Sequence, residues 1–162
     1  MVGFTGSRSL PRQWWPLVAG IVASHQHQPL IVGCASGADQ AVRLAAPAAQ
    51  VIEAASFSGT PVARLVKRSV AVVHAVTASP DPLMVGFAVG PCPAGIAPAR
   101  SWRSGRPASG TWSTLALAAG LGVPVVVFWC RSARATLPAW GQWSAASGGW
   151  QLHPSAKQLD LF

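Results

Sequence analysis

The stretch from residue 109 to residue 128 constrains the fold of this chain more than any other. A small polar loop, residues 109–114, leads into an apolar run rich in alanine and leucine, which predicts a helix. Gly120, Gly122 and Pro124 interrupt that run, and the β-branched residues that follow, up to Phe128, predict a fully buried strand. A loop, a helix and a buried strand in this order form half of an α/β unit.

The same alternation extends through most of the chain. Further strands are predicted at residues 2–5, 29–33, 50–54 and 83–89, and further helices at residues 12–25, 38–46 and 61–76. This alternation indicates an α/β fold with a mostly parallel sheet and helices on both faces. We assign residues 1–129 to this domain, residues 130–156 to an irregular tryptophan-rich layer packed over the sheet, and residues 157–162 to a tail.

Charge and cysteine usage indicate which partners and which compartment suit the protein. A net charge of +8 on 162 residues favours a polyanionic partner such as nucleic acid or a nucleotide, although a basic host proteome or simple solubility would also explain it. The three cysteines form no CxxC pair, which is typical of a reducing compartment. No secretory signal or membrane span is recognised, so we expect a cytoplasmic protein without a membrane partner.

Three predicted loops leave strand ends with small, hydroxyl-bearing or basic residues. They contain Gly6, Ser7 and Arg8; Ser36, Gly37 and Asp39; and Ser109, Gly110 and Thr111. In parallel α/β sheets ligands bind at the carboxyl ends of the strands, where glycine permits close approach to a phosphate and helix N-termini offer free N–H groups. These residues are therefore predicted to bind a phosphate or nucleotide. The alternative is that they only make tight turns and cap helices.

These loops resemble motifs of the DprA/Smf DNA-processing family and of the related LOG phosphoribohydrolases. The resemblance lies in the Gly6-Ser7-Arg8 turn, the Gly-x-Asp that ends at Asp39, and the Ser-Gly-x-x-x-Thr loop from Ser109 to Thr114. Arg64 and Arg68 fall near an Arg-x-Arg of the family. The resemblance covers roughly residues 1–129 and implies a Rossmann-like fold.

The resemblance implies two different activities. DprA-like proteins bind single-stranded DNA on a basic surface and load a recombinase, which would place this protein in DNA replication or recombination. LOG-like proteins cleave nucleoside monophosphates with an arginine and a glutamate, but Thr114 stands where that glutamate would be. Asp39 is the only acid near the three loops of this chain, and it is more simply explained as a helix-start or capping residue than as a catalytic group. We therefore expect no catalytic residue, while the hydrolase and a nucleotide-sensing module remain alternatives.

A basic loop adds candidate contacts to nucleic acid. Arg100, Trp102, Arg103 and Arg106 place guanidinium groups on both sides of an aromatic ring, which suits a loop that follows a phosphate backbone and stacks on bases. Trp112 is a second candidate for stacking. Together with Arg64 and Arg68, these residues form the predicted nucleic-acid surface. The alternative for Trp102 is a place in the core.

The chain ends in a short peptide that resembles the bacterial sliding-clamp-binding motif. It consists of Gln158, Leu159, Asp160, Leu161 and Phe162. Leucine and phenylalanine would fill apolar pockets and the glutamine amide would donate oriented hydrogen bonds. The resemblance implies the replication clamp, the DNA polymerase III beta subunit, as a partner. A tail packed on its own domain is the alternative, and a modulator that only blocks the clamp is a further functional alternative.

Other chemistry has little support in the sequence. Cys34 follows a strand and precedes a helix, as a nucleophile would, but no histidine is placed beside it. Cys34, Cys92, Cys130 and His74 lack the spacing of zinc ligands, so we expect neither a metal nor a cofactor. The sequence leaves the oligomeric state open, a homodimer included.

Overall fold

The computed structural model of the chain describes residues 1–105, 108–146 and 148–153. Within these ranges lie seven strands and four α-helices. The strands are β1 (Val2–Gly6), β2 (Leu30–Gly33), β3 (Gln50–Ile52), β4 (Leu83–Ala88), β5 (Val125–Trp129), β6 (Gln142–Ala146) and β7 (Gly149–His153). The helices are α1 (Trp15–Ser24), α2 (Ala38–Ala45), α3 (Pro61–Thr77) and α4 (Gly110–Gly120).

All seven strands join one sheet in the order β3-β2-β1-β4-β5-β7-β6. The first five strands of that order are parallel, and β5 pairs with β7 and β7 with β6 in the antiparallel sense. The chain runs outward from β1 to β3, then returns to place β4 on the other side of β1. Such a reversal opens a crevice beyond the carboxyl ends of the two central strands.

The helices cover both faces of the sheet. Helices α1 and α2 pack together on one face, where Phe4, Phe87 and Phe128 stack across three neighbouring strands with centroid separations of 6.4 and 5.8 Å. Helices α3 and α4 pack on the opposite face, where Leu115 and Met84 belong to the second buried cluster. The predicted α/β fold with a mostly parallel sheet and helices on both faces is therefore confirmed.

The helix starts follow from local sequence. Thr60 caps α3 by accepting a hydrogen bond from the N–H of Ala63, and Pro61, which has no N–H to leave unpaired, occupies the first helical position. Ser109 caps α4 in the same way. Among the described residues no helix has the length and apolarity needed to cross a membrane.

The segment after β5 differs from the irregular layer that the sequence predicts. Residues 142–153 contain a hairpin, β6 and β7, which extends the sheet. Gly148, in the left-handed region with φ at 82°, forms part of the turn, and Trp143 pairs across the ladder with Leu152. Trp140 lies edge-on to both Trp112 and Trp143, so the segment also packs onto α4. The Gly148-Gly149 pair was the one turn signal for this hairpin in the sequence.

Candidate functional site

Elements from both faces of the sheet enclose one cavity of about 600 Å³. It lies at the carboxyl ends of the central strands and is lined by the loop after β1, the loop after β2, the first turns of α3 and α4, and part of the loop that precedes α4. All three predicted phosphate-binding loops therefore contribute residues to it. A cavity of this size accommodates a ligand as large as a nucleotide.

The loops after β1 and β2 are held against each other. The Ser7 N–H donates to the Phe87 carbonyl at 3.1 Å, and the Ser7 carbonyl accepts the N–H of Ala38, the first residue of α2, at 3.0 Å. The Ser36 hydroxyl donates to the Arg8 carbonyl at 3.3 Å. Gly37 has φ at 66°, and a Cβ there would overlap the carbonyls of Ser7 and Arg8. This close contact forms a wall of the cavity.

The N-terminus of α4 is open by comparison. The Ser109 hydroxyl accepts the Trp112 N–H at 3.3 Å, and the Ser109 carbonyl accepts the Ser113 N–H at 3.0 Å. The N–H groups of Gly110 and Thr111, which also line the cavity, have no acceptor among the described residues. Such free N–H groups at the positive end of a helix can bind an anion.

Buried polar side chains are concentrated around this cavity. The described part of the chain contains seven buried polar or charged residues, of which six line the cavity: Thr5, Asp39, Arg68, Ser69, Thr111 and Ser113. The four hydroxyls among them make no side-chain hydrogen bond to another described residue. These hydroxyls are therefore available to a ligand in the cavity, and their concentration there indicates a place prepared for a polar ligand.

Asp39 and Arg68 form a buried ion pair beside the cavity. Arg68 Nη1 donates to Asp39 Oδ2 at 2.7 Å, and the Ala35 N–H donates to the same oxygen at 3.2 Å. Burial raises the pKa of Asp39, whereas the nearby guanidinium groups of Arg68 and Arg43 oppose the rise. Asp39 lies in the first turn of α2 but caps no helix, because Gly37 is the N-cap and no side chain caps it.

One side of the cavity mouth is apolar. Val62, Leu65 and Val66 of α3 line it, and Val62 is 71% exposed. Trp102 lines it as well, half-buried, with its indole N–H donating to the Ser104 hydroxyl at 3.1 Å. This combination of donors deep inside and apolar surface at the mouth suits a ligand with an anionic and an aromatic part.

The structure brings most of the predicted phosphate-binding residues to the cavity. Of these, eight line it: Gly6, Ser7, Arg8, Ser36, Asp39, Ser109, Gly110 and Thr111. Gly37 does not line the cavity and lies instead at the contact between the first two loops.

The predicted nucleic-acid residues are distributed differently. Arg68 and Trp102 line the cavity, whereas Arg64, Arg100 and Arg103 are exposed outside it. The Arg64 Nε donates to the Gly59 carbonyl at 2.9 Å. Trp112, considered for stacking, is 2% exposed and donates its indole N–H to the Gly90 carbonyl at 2.9 Å, so it belongs to the core.

Two of the predicted sets fall on residues outside the described ranges. Arg106 is one, and the other is the clamp-binding-like peptide Gln158, Leu159, Asp160, Leu161 and Phe162. These remain predictions.

Several cavity residues were missed by sequence reasoning. Thr5 is the penultimate residue of β1, Ser113 lies one helical turn beyond Ser109, and Ser69 follows Arg68 on α3. A hydroxyl at the end of a buried strand and helical spacing from predicted residues were the available signals for Thr5 and Ser113. The part played by Leu65 and Ser69 depends on how α3 approaches the sheet, which the sequence does not reveal.

The cavity offers little for acid–base catalysis. Asp39 is the one carboxylate among the described lining residues, and it is paired with Arg68. Thr114 is buried, and its hydroxyl donates to the Gly110 carbonyl at 2.7 Å. Cys34 accepts the Ala54 N–H at 3.2 Å, and the described residues contain no group of three acidic, histidine or cysteine side chains that could hold a metal. The arrangement is thus equipped to bind an anion.

Three comparisons with known proteins, by family models, curated proteins and solved structures, find no match for this chain.

Proposed function

We propose that this protein binds a phosphate-bearing nucleotide, free or within single-stranded DNA, in the cavity at the carboxyl ends of its strands, and docks on the bacterial sliding clamp through residues 158–162. The observation that carries the first part is the collection of six of the seven described buried polar residues around one cavity. The second part rests on the sequence of the tail, and with it the DprA/Smf-like assignment to DNA replication or recombination remains a proposal.

The donors around the cavity match the chemistry of a phosphate. Arg8 at the exposed edge, the free N–H groups of Gly110 and Thr111, and the lining hydroxyls can all donate to phosphate oxygens. Trp102 and the apolar side chains of α3 provide surface for a base. A mononucleotide or one nucleotide of a DNA strand would satisfy both sets of groups.

Basic side chains beside the cavity favour a DNA strand as the source of that nucleotide. Arg64 and Lys67 are exposed on α3, next in sequence to residues that line the cavity, and Arg103 is exposed between Trp102 and Ser104. With a net charge of +8, these groups can contact the phosphates that flank a bound nucleotide.

Binding without hydrolysis is favoured by the lack of an available carboxylate. Cleavage of an N-glycosidic bond passes through a positively charged sugar, and enzymes assist it with an acid that protonates the leaving base, a base that activates water or a carboxylate that stabilises the charge. Asp39 is held by Arg68, and Thr114 uses its hydroxyl within its own helix.

Calorimetry with AMP and adenosine tests the cavity. We expect AMP to bind and adenosine to bind far more weakly, and Arg8→Ala to weaken AMP by roughly tenfold through loss of a charge-assisted contact. Arg64→Ala, which removes the same charge from an exposed site outside the cavity, should change the affinity by less than about twofold. Equal effects of the two substitutions would contradict a specific phosphate site.

Incubation with AMP also separates binding from catalysis. The proposal predicts that no free adenine appears at protein concentrations high enough to bind all of the nucleotide. Release of adenine that is lost in Arg8→Ala would replace it with a LOG-like phosphoribohydrolase.

Salt dependence tests the DNA part. Affinity for a labelled single-stranded oligonucleotide should fall steeply as salt rises, because backbone contacts release counterions. Arg64→Ala and Arg103→Ala should each reduce that slope while leaving AMP binding unchanged. Affinity that is independent of salt would limit the ligand to a free nucleotide.

The clamp contact is tested by gel filtration with a purified bacterial sliding clamp. The full chain should co-elute with the clamp, and deletion of residues 158–162 or the double substitution Leu161→Ala/Phe162→Ala should abolish co-elution. A chain that carries the same five residues in scrambled order is the matched control, and it should fail to co-elute with the clamp. Co-elution of the deleted chain would refute the contact.

A further inference from the structure

Arg68 is an unusual group to find in the interior of this protein. It is 7% exposed and lines the cavity from α3. Its Nη1 is bonded to Asp39, while its Nε is sealed from solvent without a hydrogen-bond partner among the described residues. No described residue bonds to Nη2 either, so that nitrogen has donors available to a ligand in the cavity that Arg68 lines. A guanidinium has five donors, so the ion pair satisfies only a part of this one.

The chain makes room for this guanidinium by a glycine. Gly33 is the last residue of β2, and a Cβ at this position would overlap Nη1 and Cζ of Arg68 and approach Asp39 Oδ2 to 2.7 Å. Arg43 meanwhile donates its Nη1 to the carbonyls of Gly33 and Ala35 at 2.8 and 3.0 Å, which fixes the same loop from the other side. Three elements thus converge on the position of a single buried cation.

The charges around this point do not balance. Arg68 and Arg8 line the cavity and carry two positive charges, and Asp39 is the one acid among the described residues that line it. Burying a charged group with unpaired donors is costly unless a further partner completes it. A phosphate would supply both the missing negative charge and acceptors for the free edge of the guanidinium.

We propose that Arg68 is an anion-binding group at the buried side of the cavity, and that Asp39 is a positioning residue which holds the guanidinium toward a phosphate. This assignment rests on the proposed function in that the cavity takes a phosphate-bearing ligand. Arg8 then contacts the phosphate from the exposed side and Arg68 from the interior. Asp39 itself does not touch the ligand, because two anions in contact would repel each other.

The sign of one substitution separates this role from a purely structural one. If Asp39 merely tied α2 to α3, removing its negative charge would leave anion affinity unchanged or increase it. If Asp39 holds Arg68 in place, removing it lets the guanidinium move and anion affinity falls. The first interpretation therefore predicts no loss of anion affinity, and the second predicts a loss.

The probes are inorganic phosphate and AMP, each titrated at constant ionic strength and read by calorimetry and by the shift in unfolding temperature. We expect Arg68→Gln to weaken both probes by at least about tenfold, and Asp39→Ala and Asp39→Asn to weaken them by about three- to tenfold. Adding Asp39→Ala to Arg68→Gln should cause no further loss, because the two residues act through one contact. Arg131→Gln, which removes the same charge from an exposed position outside the cavity, is the matched charge control and should change affinity by less than about twofold.

The outcomes distinguish this assignment from the proposed function. Phosphate binding that Arg68→Gln abolishes, without AMP binding, supports the anion site and refutes the nucleotide. AMP binding that Arg68→Gln leaves intact refutes the anion site alone, and failure of both probes to bind the full chain refutes both. If Asp39→Ala does not fold, the positioning role is tested with Asp39→Asn, which keeps the shape of the side chain and one acceptor. Unchanged or tighter phosphate binding in that variant overturns the positioning role.

Discussion

Two helices begin at the same cavity from opposite faces of the sheet, and their N-termini differ in what is left free. At α2 the first N–H is bonded to the Ser7 carbonyl, and Asp39 in the first turn is paired with Arg68. At α4 the first turn contains no acid, and the N–H groups of Gly110 and Thr111 have no acceptor among the described residues. Each first turn has one bonded N–H and two without an acceptor among the described residues, but at α2 the first N–H is taken by the Ser7 carbonyl and a carboxylate follows it. We call that terminus closed, and we call the α4 terminus, whose first two N–H groups are free and whose first turn has no acid, open.

The difference shows that a small-residue loop before a helix does not by itself make an anion site. The two loops have similar sequences, each with serine and glycine at the helix start. What distinguishes them is a carbonyl from the loop after β1, roughly thirty residues away in the chain, which occupies one terminus. The closed terminus builds a wall, and the open one faces the cavity.

The largest expected effect tests how tightly the α2 terminus is closed. Gly37→Ala places a Cβ against two carbonyls at a positive φ, so we expect it to lower the free energy of unfolding by at least about 2 kcal/mol. Gly110→Ala is the matched control, because a Cβ there meets nothing within 4 Å, and it should change stability by less than about 1 kcal/mol. Urea denaturation measures the unfolding free energy of both variants. Equal losses would contradict the distinction between the α2 and α4 termini.

A smaller effect concerns the serine at each helix start. Ser109→Ala removes the cap of α4 and should cost about 1 kcal/mol of unfolding free energy. Ser36→Ala removes an exposed hydrogen bond to the Arg8 carbonyl and should cost less than about 0.5 kcal/mol. Thermal denaturation of the two variants gives the order, and a larger loss in Ser36→Ala would mean that the closed terminus depends on that hydroxyl.

The smallest expected effect on stability tests the open terminus for function. Thr111→Val replaces a hydroxyl without a described side-chain partner by a methyl group of the same shape, so stability should change by less than about 0.5 kcal/mol. Affinity for AMP should nevertheless fall about three- to tenfold. Thr114→Val, whose hydroxyl is bonded within α4, is the control and should leave the affinity unchanged. If calorimetry shows the same AMP affinity for Thr111→Val and Thr114→Val, the phosphate does not bind at this terminus.

The sequence predicts the fold and the neighbourhood of the site because both depend on local pattern. Strand runs, Pro61 as a helix start and the break after α4 are local signals, and parallel strands bring their carboxyl ends to one edge. The same logic places Ser7, Ser36 and Thr111 around one cavity.

What the sequence does not predict depends on contacts between distant elements. Nothing local indicates that Arg68, which the sequence predicts on the nucleic-acid surface, turns inward to Asp39, which lies 29 positions earlier. Nothing local indicates that Trp112 belongs to the core, whereas Trp102 lines the cavity. The hairpin at residues 142–153 was also missed, because its short strands show no clear hydrophobic alternation.

Amide hydrogen exchange with and without AMP tests the central claim most directly. The amides of Gly110 and Thr111 should exchange rapidly in the free protein and be protected when AMP is bound, because its phosphate accepts from them. The Ala38 amide, already bonded to the Ser7 carbonyl, should be protected in both states. Protection of Gly110 and Thr111 without ligand, or none at saturating AMP, would contradict the account.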